Sequence, residues 1–107
     1  MDELSAKNAK PEYIICAANW FKDGNKHIHQ PRNVETGFVV CGRRHHNAYY
    51  IASECLADGY SEVKGTCVQG FLTSKDRFVD RKEAGKIAFE QGQIPELTDC
   101  LFSEDLY

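Results

Sequence analysis

The residues best suited to chemistry lie together in Gly37-Phe38-Val39-Val40-Cys41-Gly42-Arg43-Arg44-His45-His46-Asn47, where a short apolar run empties into two arginines and two histidines. This pattern reads as a strand that delivers positive charge to the start of a helix. A helix N-terminus already presents free N–H groups and the positive end of the macrodipole, so the cluster is an anion site in the making. His45 and His46 could alternatively act as general acid and base in phosphodiester cleavage, because an imidazole near its ordinary pKa serves both roles at neutral pH. The paired HxT or HxS motifs of two-histidine phosphoesterases are absent, and the bland role of these histidines is hydrogen bonding at the helix start.

A second basic stretch repeats the arrangement. Gly70-Phe71-Leu72-Thr73 leads through Lys75-Asp76-Arg77 toward another helix, as Gly37-Phe38-Val39-Val40 leads through Arg43-Arg44 toward the first. If the two strands are neighbours, their connections share one edge of the sheet and the charges converge. Phe71 then sits beside Lys75 and Arg77, where an aromatic ring would stack a nucleobase. The ligand-binding set expected on this basis is Arg43, Arg44 and Arg77 for phosphate, His45 and Asn47 for hydrogen bonds and Phe71 for stacking, with Thr73 and Lys75 completing it.

Other candidates carry less. His27-Ile28-His29 would place two imidazoles on one face of a strand, but two ligands do not make a metal centre and no zinc spacing accompanies them. No metal and no cofactor are expected. Cys41 is the one cysteine next to positive charge, which a reactive thiolate needs, yet a strand position favours burial. The remaining cysteines, Cys16, Cys55, Cys67 and Cys100, form no CxxC pair, which argues against a disulfide framework.

The elements that must position these residues fit one domain of 107 residues. Residues 1–12 read as a flexible arm and 13–107 as a single α+β domain. A buried strand at 13–21 runs into a hairpin turn, His27-Ile28-His29-Gln30 alternates like an edge strand, and 37–41 supplies a third. A helix follows, with Ala48, Ile51, Ala52 and Cys55 as its apolar stripe and Asp58-Gly59 as its stop. Cys67 to Thr73 forms a fourth strand, and Asp80-Arg81-Lys82-Glu83 is a capping box opening a helix that ends at Gly92. The order is therefore β-β-β-α-β-α, three to four strands and two helices, followed by an extended acidic tail.

Charge divides along the chain. Residues 90–107 hold five acids and no Lys or Arg, whereas 13–89 hold eleven Lys and Arg against eight acids. The tail could cover the basic site of its own chain, dock on a neighbour, or repel nucleic acid. A net charge of −3 argues against wrapping duplex nucleic acid but leaves room for a small basic pocket. No apolar run is long enough to span a bilayer, and the first ten residues lack a signal-peptide core, so a cytoplasmic location without membrane contact is expected. A sheet of few strands leaves an open edge, from which a homo-oligomer is expected.

Ile15-Cys16-Ala17-Ala18 with Trp20, His29-Gln30-Pro31, Gly42-Arg43-Arg44-His45-His46-Asn47, Gln69-Gly70-Phe71-Leu72-Thr73-Ser74, Arg77-Phe78-Val79-Asp80-Arg81 and Leu101-Phe102-Ser103-Glu104-Asp105-Leu106-Tyr107 together give a further lead. Over about residues 13–107 the chain resembles a group of small uncharacterised proteins encoded by tailed bacteriophages. The resemblance implies a phage origin and work in the host cytoplasm; it supplies no reaction and no catalytic residue. The resulting expectation is a non-enzymatic protein that captures a small phosphorylated, nucleotide-type ligand, such as a signalling nucleotide of host defence, in the manner of a sponge. The alternatives are a histidine-dependent nucleotide phosphodiesterase or hydrolase, and an acidic protein–protein inhibitor of a host factor.

Overall fold

A computed structural model describes residues 11–107, so most of the arm expected at 1–12 lies outside the described residues. Strand β1 (Ile14–Phe21) is followed by β2 (Phe38–Gly42), helix α1 (His45–Leu56), a short helix α2 (Tyr60–Val63) between two 3-10 turns, strands β3 (Val68–Thr73) and β4 (Phe78–Asp80), helix α3 (Arg81–Glu90) and a final turn of helix, α4 (Ser103–Leu106). The four strands form one antiparallel sheet in the order β2-β1-β3-β4. The α+β class holds, while the element order differs from expectation.

The difference arises at two places. His27-Ile28-His29-Gln30 is not a strand; it belongs to the long connection 22–37, in which His29 takes a positive φ of 60°. The fourth strand is instead β4, whose three residues are too few to display any periodicity and lie directly before the capping box. The cap half of that box forms: the Asp80 carboxylate accepts from the Glu83 N–H at 2.8 Å and starts α3.

Both faces of the sheet are covered. On one face the helices pack over Ala17, Phe71 and Val79, with Ala84, Ile87 and Ala88 from α3 and Ile94 and Leu101 from the tail. A shift of register between Ile14 and Cys16 places one extra residue in β1 opposite β3, and this brings Ile14 onto the same face as Ala17. On the other face Ala18, Trp20, Val39, Leu72 and Phe78 pack around Val34 of the 22–37 connection. That connection also reaches both edges of the sheet. The Gln30 Oε1 accepts from the Val39 N–H of β2 at 2.7 Å, and the Asn33 amide pairs with both the N–H and C=O of Phe78 in β4 at 2.8 and 2.7 Å.

Two expectations for side-chain placement change. In α1 the buried line is His45, Ala48 and Ala52, whereas Ile51 and Cys55 are exposed, so the apolar stripe is rotated toward the histidine. The acidic tail is not simply extended: Ile94 and Leu101 are buried in the core, Leu106 packs against it, and α4 closes the chain. The 91–102 stretch lies so close to α3 that a Cβ at Gly85 would sit 2.2 Å from the Thr98 carbonyl oxygen, a contact only glycine permits.

Candidate functional site

The segment 43–47 links β2 to α1 as the sequence predicts. Gly42 ends the strand where a Cβ would lie 2.9 Å from the Ala48 nitrogen, which lets the first turn of α1 fold back closely. Arg44 is the N-cap, with extended backbone; its carbonyl accepts from the Asn47 and Ala48 N–H groups, and its own N–H donates to the Asn47 Oδ1 at 3.0 Å. Asn47 thus spends its oxygen on the cap. Arg43, His46 and Asn47 are exposed and Arg44 is half-buried.

The two arginines meet the tail. Arg44 donates to the Ser103 hydroxyl at 3.1 Å and to the Tyr107 main-chain oxygen at 2.5 Å. The Tyr107 ring lies 5.0 Å from the Arg44 guanidinium and 5.9 Å from that of Arg43, and its hydroxyl donates to the Arg43 carbonyl at 2.6 Å. Among the described residues neither guanidinium has a side-chain carboxylate in ion-pair contact.

Beneath them lies a polar cluster that sequence reasoning missed. His45, the first residue of α1, is buried against Phe71, with its Nε2 at 2.7 Å from the Gly70 carbonyl and its Nδ1 at 3.4 Å from Arg81, the first residue of α3. The carbonyl accepts, which assigns the proton to Nε2 and leaves Nδ1 to accept from Arg81. Burial is the main cause holding the His45 pKa below its ordinary 6.5, and the charge of Arg81 adds to it. Arg81 also donates to the Leu101 carbonyl at 2.6 Å and the Gln69 Oε1 at 2.5 Å, while Gln69 donates to the Tyr49 hydroxyl at 3.2 Å. Asn19, fully buried, donates to the His45 carbonyl at 3.0 Å and leaves its Oδ1 without a partner. The two long helices therefore start side by side: α1 heads toward Phe21, which meets Tyr49, and α3 toward Ile14, which clusters with Ile87.

The second basic connection is organised differently. Strand β1 separates β2 from β3, and Lys75 and Arg77 belong to the tight turn between β3 and β4, not to a helix start. Arg77 grips Glu12 through Nε and Nη2, both at 2.8 Å, and Thr73 donates to the same carboxylate at 2.6 Å. The Arg77 guanidinium holds the Glu12 carboxyl down from 4.5 to about 2. Lys75 alone of this group stays exposed. Phe71 has no accessible surface and cannot stack a ligand; Thr73 is buried as well. These are corrections to the expected set: Phe71 is core, and Thr73 and Arg77 are committed to Glu12, leaving Arg43, Arg44 and Asn47 at the helix start and Lys75 at the β3–β4 turn, with His46 exposed beside the first three.

His45, with both ring nitrogens engaged inside the protein, is a structural residue in this geometry. Cys41 is no thiolate either: a hydrogen bond with Cys16, then burial, push its pKa up. His27 pairs with Asp23 at 2.7 Å, and among the described residues no three His, Cys, Asp or Glu side chains converge on a metal position. A cavity of ≈ 300 Å³ lies within the tail, lined by Ile94, Pro95, Glu96, Leu97, Thr98 and Asp105, and its only charges are acidic. No helix of the described residues is long and apolar enough to cross a membrane.

These pKa shifts predict two acid steps. His45 is neutral when folded, so its contribution is complete above pH 6.5 and declines as protons bind the unfolded chain below that value. The Glu12 contribution is present above pH 4.5 and disappears as the pH falls toward about 2. Melting temperature followed from pH 8 to pH 3 is expected to drop first below about 6.5 and again below about 4.5, with Glu12→Gln reducing the second drop and leaving the first unchanged.

Comparison with known proteins gives one positive result. Neither the curated proteins nor the solved structures include a match to this chain. Residues 13–107, which carry every element described above, match the model of the family described as Phage T4 y16D protein, and the chain belongs to that family.

Proposed function

We propose that this phage-family protein is a non-enzymatic binder that captures a small phosphorylated ligand of nucleotide type at the β2–α1 connection. One observation carries the reading: Arg43 and Arg44 stand at the N-terminus of α1 with no side-chain carboxylate in ion-pair contact among the described residues. A phosphate placed there would gain both guanidinium forks and the first-turn N–H groups. His46 and Asn47 are exposed on the same turn and supply further donors. Lys75 is outside this smaller set, and His45 supports it from below. Membership in a phage family supports the expectation that the captured molecule is a signalling nucleotide of host defence.

The test is a panel of linear and cyclic nucleotides, inorganic phosphate and pyrophosphate, each added to the full chain in a thermal melt. A ligand at 100 times its Kd stabilises by about 2.7 kcal/mol, a shift of several degrees for a domain of this size. Heat denaturation of the complex is expected to return the ligand unchanged. No shift with any phosphorylated compound would refute capture, and recovery of a cleaved product would replace it with hydrolysis.

A further inference from the structure

We propose that residues 102–107 form a displaceable strap that occupies the β2–α1 anion site in the free protein and leaves it when ligand binds; this rests on the function proposed above. The strap satisfies the site with weaker versions of what a nucleotide offers. Its Ser103 hydroxyl and Tyr107 main-chain oxygen fill the Arg44 fork, and the Tyr107 ring lies against Arg43 and Arg44 where a base would stack. Glu104 is close enough for Arg44 and His45 to lower its pKa, after a hydrogen bond to its own backbone, yet it forms no ion pair with either.

Two contrasts argue that the cover is exchangeable. Arg77 is locked by one carboxylate that takes two of its nitrogens, whereas the Arg44 fork meets two separate acceptors, the Ser103 hydroxyl and the Tyr107 main-chain oxygen, which a single phosphate with several acceptor oxygens can replace together. The strap is also lightly seated. Phe102, Glu104, Asp105 and Tyr107 are exposed, and only Ser103 and part of Leu106 are covered. Peeling stops at Leu101, which has no accessible surface and whose carbonyl is held by Arg81. The strap can therefore lift while Leu101 keeps its place, uncovering the core only where Leu106 packs against it.

The experiment compares the full chain with Tyr107→Ala and with a chain ending at Leu101, using adenosine triphosphate and pyrophosphate as titrants. Both variants are expected to bind about tenfold more tightly, because the free protein no longer divides its population between covered and open states. Equal or weaker binding in the variants would overturn the strap. An arm that needs no ligand measures modification of arginines by phenylglyoxal, located by peptide mass. Arg44 is expected to react several-fold faster in the shortened chain, and faster by less in Tyr107→Ala, which loses the ring but keeps the Ser103 hydroxyl and the main-chain oxygen, while Arg77, locked on Glu12, does not change. An unchanged Arg44 rate overturns the strap whatever the titrations show. A faster Arg44 rate with no binding in any form supports the cover and refutes the functional reading alone. Since Tyr107→Ala removes one exposed side chain, it keeps the test valid if the shortened chain fails to fold.

Discussion

Phe71→Ala is expected to cost about 3–5 kcal/mol, a large share of the roughly 5–15 kcal/mol that holds a domain together. The ring has no accessible surface and lies at the centre of the cluster that joins β1, β4, α3 and the tail. It also supports the site from beneath, meeting the His45 ring edge-on at 5.1 Å and facing the Arg81 guanidinium at 6.0 Å. Urea denaturation would show the loss as a lowered midpoint with the slope retained. The same measurement separates core from ligand contact: a stacking residue would leave stability unchanged and weaken binding alone. Phe71→Leu, which keeps most of the volume, is expected to recover over half of the loss.

Arg81→Ala is expected to cost about 3 kcal/mol, because three acceptors lose their donor at once, each worth on the order of 1 kcal/mol or more when left unpaired. They are the Leu101 carbonyl, the Gln69 Oε1 and the His45 Nδ1. These partners come from the tail, from β3 and from the start of α1, so one guanidinium ties three parts of the chain to the origin of α3. Loosening should therefore be uneven. Amide hydrogen exchange is expected to accelerate first around residues 101–107, with the β1–β3 ladder protected longest. Arg81→Lys should restore little, since a single ammonium cannot reproduce the spread of a planar fork. Exchange that accelerates uniformly would show that Arg81 does not hold the tail in particular.

What could be read from the chain followed the range of the signal. Helix α3 announces itself through Asp80 and Glu83, three residues apart, and α1 through the end of a strand at Gly42; both signals are local. The site failed where the deciding partner is remote in sequence. Arg77 looked free because Glu12 stands 65 residues away, and Arg81 looked like an ordinary capping-box residue because Gln69, Leu101 and His45 lie 12, 20 and 36 residues from it. The closeness of Lys75 and Arg77 in sequence makes Phe71 read as a ligand residue. Strand alternation turns it instead beneath the helices. The echo between the two Gly-Phe strands is real as a pattern of direction, since β2 and β3 both run antiparallel to β1, but β1 lies between them.

The two amide plugs of the 22–37 connection bear on how crowded copies of this protein behave. A sheet only four strands wide is nearly all border, and an unoccupied rung at a border is an invitation to a neighbouring chain. Gln30 and Asn33 act as bookends, one taking the Val39 rung of β2 and the other the Phe78 rung that opens β4. Hydrolysis of the Asn33 amide to aspartate, which consumes water and releases ammonia, would set a carboxylate against the Phe78 carbonyl and cast off one bookend. Age, as well as mutation, can thus open this sheet to sideways growth.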